Sequence, residues 1–174
     1  MPFVLPADPN DGDVAPASWG DAVRAGLNYL ANPPSCRVYN SADQATVNGG
    51  FHTVAFNSER WDTDSMHDTV TNNSRITINT AGVYVLHAHI NWAASAAGER
   101  IVEFYVNGAT EIGLIRVNAN STGADTALTI AATYKFATTN YVQVRTYQTS
   151  GGSLNINSGG QFSCEFGATW IGLG

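Results

Sequence analysis

The sequence predicts an all-β protein, a sandwich, jelly roll or barrel of about ten short strands preceded by one short helix. After Pro34, segments of alternating apolar and polar residues are separated by turn residues such as Asn48-Gly49-Gly50 and Asn107-Gly108. Charged residues make up only 13% of the 174 residues, and Asn, Thr, Ser, Ala and Gly take the polar positions instead. This composition is typical of β-rich extracellular or particle-associated proteins.

The chain divides at Asn32-Pro33-Pro34 into an N-terminal segment, residues 1–34, and a β domain, residues 35–174. An extended Pro/Asp/Gly stretch comes first, and a helical pattern follows with Ser18 as its expected N-cap. Its apolar residues recur at three- and four-residue spacing and form one stripe: Trp19, Val23, Leu27 and Leu30. A helix of about 13 residues is marginal alone, so the stripe must dock on its own domain or on a neighbouring subunit. We interpret residues 1–34 as an anchor.

The predicted strands of the β domain follow one another without an intervening helix. They are expected at Cys36–Asn40, Thr46–Val47, Thr53–Phe56, Arg75–Ile78, Val83–Trp92, Arg100–Val106, Glu111–Val117, Thr126–Phe136, Tyr141–Gln148, Leu154–Ile156 and Phe162–Ile171. In Val83–Trp92 one face is apolar, whereas the other carries Val, Val, His, His and Asn. The residues of that second face are typical neither of a buried core nor of a solvent-exposed surface, so we expect another surface to cover them.

Composition and missing motifs exclude several classes of function. The net charge of −6 and the lack of any basic run argue against nucleic acid as a partner. No apolar run approaches the roughly 20 residues of a membrane span, so no membrane partner is expected. The N-terminus lacks a signal-peptide pattern, which favours synthesis and assembly in a cytoplasm. No nucleophile elbow, zinc-protease motif or phosphate loop is present, and we therefore predict that the protein is not an enzyme.

An acidic loop that contains His67 precedes the strands Arg75–Ile78 and Val83–Trp92 and is a candidate metal site. Asp62, Asp64 and Asp68 have a spacing that could hold Ca²⁺. The alternative is a loop whose acids cap turns by accepting hydrogen bonds from backbone N–H groups. No other cofactor is expected.

The two cysteines, Cys36 and Cys164, lie near opposite ends of the β domain and do not have the spacing of a metal site. Two buried thiols suit a reducing compartment, and a disulfide that closes the domain is the alternative. The sequence alone leaves both open.

The run SRITINTAGVYVLHAHINW resembles the central strands of C1q/TNF-like domains, because Gly82, Val83 and Tyr84 match their most recognisable motif. The closing CEFGATWIGLG is similar to the family's final strand, and the resemblance extends from about Cys36 to Gly174. It implies a jelly-roll sandwich that is usually homotrimeric. It also implies that Cys36 and Cys164 lie near each other. Six residues would then face the threefold axis: His87, His89, Gln143, Arg145, Tyr147 and Glu165.

The helix and its Asn-Pro-Pro ending resemble a pattern that precedes this domain in bacteriophage structural proteins. This resemblance implies a non-enzymatic virion protein, a capsid decoration or cement protein or a short head fibre, assembled in the host bacterial cytoplasm. Its partners would be itself and major capsid or tail subunits. The alternative is a receptor- or glycan-binding module of a tail fibre or minor tail protein, and a secreted bacterial domain is a third reading. The loops near Asn118–Ala124 and Ser150–Asn157 lack aromatic residues, which favours decoration over glycan binding.

Overall fold

A computed structural model describes residues 14–160 and 163–174. Within these residues one helix precedes twelve strands. The elements are α1 (Ala17–Ala31), β1 (Ser35–Tyr39), β2 (Gln44–Thr46), β3 (His52–Thr53), β4 (Ser58–Asp62), β5 (Arg75–Thr77), β6 (Gly82–Trp92), β7 (Glu99–Val106), β8 (Thr110–Asn118), β9 (Thr126–Phe136), β10 (Tyr141–Gln148), β11 (Leu154–Ile156) and β12 (Glu165–Gly172). Phe162, the predicted start of the last strand, lies outside the described residues.

The strands form two antiparallel sheets that pack face to face, which confirms the predicted all-β sandwich with one N-terminal helix. The first sheet has the order β2-β11-β6-β12-β1-β4, with β9 also paired to β6, and the second has the order β3-β10-β7-β8, with β5 paired to β10. In the first sheet β12 lies between β1 and β6, so the final strand joins the first strand to the central one. Strands distant in sequence are therefore neighbours throughout the molecule.

The core lies between the sheets and is built from the apolar faces that alternation predicts. Tyr84, Leu86 and Ile90 of β6 are fully buried, and Phe166 of β12 lies 5.9 Å from Phe104 of the opposite sheet, measured between ring centroids. The sequence missed β4, because SERWD has no apolar alternation; it is the edge strand beside β1. The predicted N-cap was also wrong: α1 begins after Pro16, and no side chain caps it. In the described part of the chain, α1 is too short and too polar to cross a lipid bilayer.

Candidate functional site: the two outer faces

The six residues expected at one threefold axis are divided between the two sheets. His87 and His89 lie on β6 and Glu165 on β12, all on the outer face of the first sheet. Gln143, Arg145 and Tyr147 lie on β10, which belongs to the second sheet. The outer faces of a sandwich point in opposite directions, so the expected single surface is wrong for the β10 residues. The strand alternation was correct, but it does not reveal which sheet a strand joins.

His87 lies at the centre of the first sheet's outer face, directly above a glycine. Arg37, Gly167 and His87 are in register across β1, β12 and β6. A Cβ atom added to Gly167 would come within 2.3 Å of the imidazole Cε1 atom. Glycine is therefore required here because the imidazole lies flat over the backbone, where a side chain would otherwise stand.

The environment of His87 disfavours its charged form. Burial lowers the pKa of His87, the positive charge of Arg37 lowers it further, and Glu165 partly offsets both effects. On the third neighbouring strand, β9, the residue in register is Ala131, which carries no charge. His87 is therefore a neutral, half-buried group in an otherwise small-residue region of the face.

Glu165 organises the charged edge of the same face. One carboxylate oxygen pairs with Arg37, and the other accepts a hydrogen bond of 2.9 Å from the guanidinium of Arg60. Arg60 also lies 4.0 Å from the ring centroid of Tyr39, within range of a cation–π contact. Sequence reasoning found Glu165 but missed its partners, because the edge strand that carries Arg60 was predicted as loop. Two guanidinium groups share one carboxylate, so the cluster keeps a net positive charge at this edge.

The middle of this face is small and uncharged, and Lys135 lies at one end of it, beside Val83. Thr129, Ala131 and Thr133 of β9 are exposed, and they pair with His89, His87 and Val85 of β6. Val85 is 36% exposed although it lies in the central strand of the sheet. A monomeric surface usually carries more charge, so this flat, neutral area is typical of a buried contact between subunits.

Arg145 is the centre of the second sheet's outer face. It forms an ion pair with Glu103 of β7, whose side chain is fully buried. Its guanidinium lies 3.3 Å from the ring centroid of Tyr105 and 4.6 Å from that of Phe51. Phe51, which is 47% exposed, also lies 5.3 Å from the ring of Tyr147.

Sequence reasoning did not select Phe51, Glu103 or Tyr105 as functional residues. The signal was available for two of them, because alternation along Arg100–Val106 places Glu103 and Tyr105 on the face opposite the core. Burial raises the pKa of Glu103, an effect that Arg145 opposes and Glu111 reinforces. Gln143, further along β10, donates from Nε2 to the Ser74 hydroxyl over 3.1 Å.

The aspartates of the acidic loop cap turns. Asp62 accepts hydrogen bonds from the backbone N–H groups of Asp64, at 3.0 Å, and His67, at 2.8 Å. Asp68 accepts bonds from Val70 and Thr71, both at 2.8 Å. Across residues 14–160 and 163–174, no three ligating side chains converge on a metal position. The calcium interpretation of Asp62, Asp64 and Asp68 is therefore not supported, because two of the carboxylates are committed to separate turns.

His67 holds this loop against the edge strand. Its side chain is fully buried, with Nδ1 3.0 Å from the Glu59 carboxylate and Nε2 3.2 Å from the Asn73 carbonyl oxygen. Beside it lies an open, polar depression of about 410 Å³ that Asp68, Asn72 and Arg75 help to line. His67 thus joins the loop to β4 through Glu59 and to the following turn through Asn73.

The predicted apolar stripe of α1 is not a single docking face. Trp19 and Val23 are half-buried, whereas Leu27 and Leu30 are 60% and 57% exposed. The helix instead docks through Tyr29, whose ring meets that of Trp170 edge-on at 5.1 Å. The anchoring role of the four stripe residues stays a prediction, and only the two leucines are free to make it on an outer surface.

Cys36 and Cys164 are both buried and unpaired. Cys36 is in register with Ala168, four residues after Cys164, which corresponds to about 13 Å along a strand. A disulfide needs Cα atoms within about 7 Å, so the expected proximity of the two cysteines is wrong. Burial raises the pKa of both thiols, that of Cys164 to about 11.

No protein-family model matches the sequence, and no curated protein matches it. Solved structures do match the fold. One match is the globular domain of zebrafish complement 1qA, and the alignment covers 81% of this chain and 99% of that domain. The TM-score is 0.58 and the sequence identity is 14%. Another is the TNF protein Eiger from S. frugiperda, and the alignment covers 81% of this chain and 94% of Eiger. The TM-score is 0.61 and the sequence identity is 13%.

A third similar structure is murine APRIL, which covers 79% of this chain over 99% of its own length. Its TM-score is 0.56 at 10% identity. Identities this low establish the fold alone. The chain is an all-β, C1q/TNF-like jelly-roll sandwich preceded by one short helix.

Proposed function

We propose that this protein is a non-enzymatic homotrimer exposed on the surface of a bacteriophage particle, where it decorates or cements the capsid or forms a short head fibre. The observation that carries the trimer is the neutral outer face of the first sheet. Val85 is exposed next to His87, and Thr129, Ala131 and Thr133 extend the face without charge as far as Lys135 at its end. Three copies of such a face can pack about an axis without burying unpaired charges.

In this trimer His87, His89 and Glu165 face the axis or its margin. The Arg37–Glu165–Arg60 cluster lies toward the β1–β4 edge, where its remaining positive charge and both half-exposed arginines stay in contact with solvent. The second sheet's outer face, with Arg145 and Tyr147, points away from the axis.

The position on a virion is supported by the sequence pattern of the helix and by its surface. Leu27 and Leu30 project away from the jelly roll and leave an apolar strip for a capsid or tail subunit. The low proportion of charged residues and the neutral assembly face fit a protein that acts by packing.

A matched pair of substitutions tests the trimer. Val85→Glu places three carboxylates at the proposed axis, whereas Leu114→Glu makes a similar change at a similarly exposed position, 42%, on the second sheet. Because an unpaired buried carboxylate costs several kcal/mol, we expect Val85→Glu to be monomeric by light scattering and Leu114→Glu to remain trimeric.

A monomeric native protein, or a monomer produced by Leu114→Glu alone, contradicts the proposal. The virion role is tested separately by adding the purified protein to capsids that lack it and sedimenting the mixture. Co-sedimentation at a fixed number of copies per capsid is expected, and failure to bind would leave the trimer proposal standing while removing the virion role.

A further inference from the structure

The outer face of the second sheet carries a row of flat groups that the assembly does not use. We define the aromatic platform as Phe51, Tyr105, Arg145 and Tyr147. Phe51 immediately precedes β3 and lies beside Tyr147 of β10, and the Arg145 guanidinium lies between the rings of Phe51 and Tyr105. Rings and guanidinium therefore present one continuous, partly apolar surface.

This platform is held rigidly before any ligand arrives. Arg145 pairs with the fully buried carboxylate of Glu103 on the adjacent strand, and its side chain is only 21% exposed. Tyr147 belongs to β10, and Phe51 immediately precedes β3, which pairs with β10 through His52 and Thr53. A preformed surface of this kind loses little conformational entropy on binding.

The charges of the platform restrict what it can bind. The positive charge of Arg145 is neutralised by Glu103, so an anionic ligand gains little there. Arg145 also already occupies the cation–π positions of Phe51 and Tyr105, which leaves them unavailable to an external cation. Because it fills the space between those rings, no groove remains of the kind that holds a proline-rich helix. A neutral ligand with one apolar face fits best.

We propose that the aromatic platform binds neutral carbohydrate. The C–H face of a pyranose ring can pack on the exposed ring of Phe51 while its hydroxyl groups meet polar atoms beside it. Tyr147, whose ring lies 5.3 Å from that of Phe51, carries a phenol hydroxyl that can serve as one such atom. This inference goes beyond the assembly role, and the platform stays open in the proposed trimer because it lies on the opposite sheet.

Affinity electrophoresis of the full chain tests the proposal with four probes. Dextran, yeast mannan and galactomannan are the neutral polysaccharides, and polygalacturonate is the acidic one. We expect at least one neutral polysaccharide to retard the native protein and polygalacturonate not to. Phe51→Leu keeps an apolar side chain but removes the ring, so it should weaken binding about tenfold, the loss of one aromatic contact.

Two variants serve as controls. Phe51→Trp keeps a ring and should retain binding, and Trp61→Leu removes a ring of similar exposure, 44%, from the first sheet and should bind as the native protein does. Light scattering and the thermal midpoint establish that each variant remains assembled and folded. The proposal is overturned if no neutral polysaccharide retards the protein, if Phe51→Leu binds unchanged, or if polygalacturonate binds instead.

Discussion

The side chain of His87 determines which residue can stand opposite it on the neighbouring strand: only glycine fits at position 167. Its imidazole occupies the space above Gly167 and lies beside Arg37 and Glu165. The position combines partial burial with a nearby positive charge, and both favour the neutral ring. The stability of this face should therefore depend on pH through the protonation of His87.

Stability should fall on acidification because the pKa of His87 is lowered in the folded state. The unfolded chain then binds more protons, so this contribution is complete above the unfolded value of about 6.5 and is lost as the pH falls through the depressed folded pKa. We expect the thermal midpoint to decrease between pH 7.5 and 5.5, together with the trimer mass if three such groups surround one axis.

His87→Gln is the control for this effect, because it keeps a polar side chain that does not titrate. The difference in midpoint between pH 7.5 and 5.5 should be smaller in this variant than in the native protein. The pKa of His52 is also lowered by burial, so part of the dependence should persist. Equal pH dependence in both proteins would contradict the role given to His87.

At the scale of elements, the large apolar side chains of α1 fall into two groups, one packed on the β domain and one exposed. Tyr29 docks the helix on Trp170 of the last strand, whereas Leu27 and Leu30 remain on the outer side. The helical pattern predicted where the element lies, but four apolar residues at suitable spacing do not reveal which of them reach the domain. That choice depends on where the chain re-enters the sheet after Pro34, which is a tertiary effect.

Substitutions on the two sides of α1 should therefore separate stability from anchoring. We expect Tyr29→Ala to lower the free energy of unfolding by about 1–2 kcal/mol, through loss of the edge-on ring contact and its buried area. The double variant Leu27→Ser/Leu30→Ser should change it by less than about 0.5 kcal/mol but abolish capsid binding. Chemical denaturation and co-sedimentation measure the two effects, and a strongly destabilised double variant would show that the leucines pack on their own domain.

The strands illustrate the limit of local pattern. Alternation correctly identified the core-facing residues of β6, β7, β10 and β12, although β7 is buried on both faces between Arg100 and Phe104. Sheet membership depends on pairing between residues far apart in sequence, so β10 could not be assigned to the second sheet from its own residues. For the same reason the sequence suggested one interface of six residues, where the structure has two separate faces.

At the scale of the whole molecule, the domain closes without a disulfide. Cys36 and Cys164 are free, buried and in protonated form at neutral pH, because burial raises both thiol pKa values. Many short alternating strands predicted a sandwich, jelly roll or barrel, and the resemblance to C1q/TNF-like domains selected the jelly roll among them. The separation of the two cysteines was not predictable, because it depends on the register of β1 and β12, which places Cys36 opposite Ala168 and four residues away from Cys164.

We expect the unfolding midpoint in guanidinium chloride to be the same with and without a reducing agent. Iodoacetamide should label neither cysteine in the native protein at pH 7.5, because thiolate is scarce and access is blocked, and should label both after unfolding. Mass spectrometry counts the labels, with glutathione as a fully reactive control. Rapid labelling of the native protein, or a lower midpoint in reductant, would contradict this account.

The place of β12 has a consequence for the synthesis of the protein. The ribosome makes this strand after all the others, yet it lies between β1 and β6 and completes the pairing of both. Until β12 emerges, β1 and β6 each have one unpaired edge. Their apolar faces are not yet joined into one sheet. The domain must therefore wait for its last strand before it can close, and subunits can assemble only after that step.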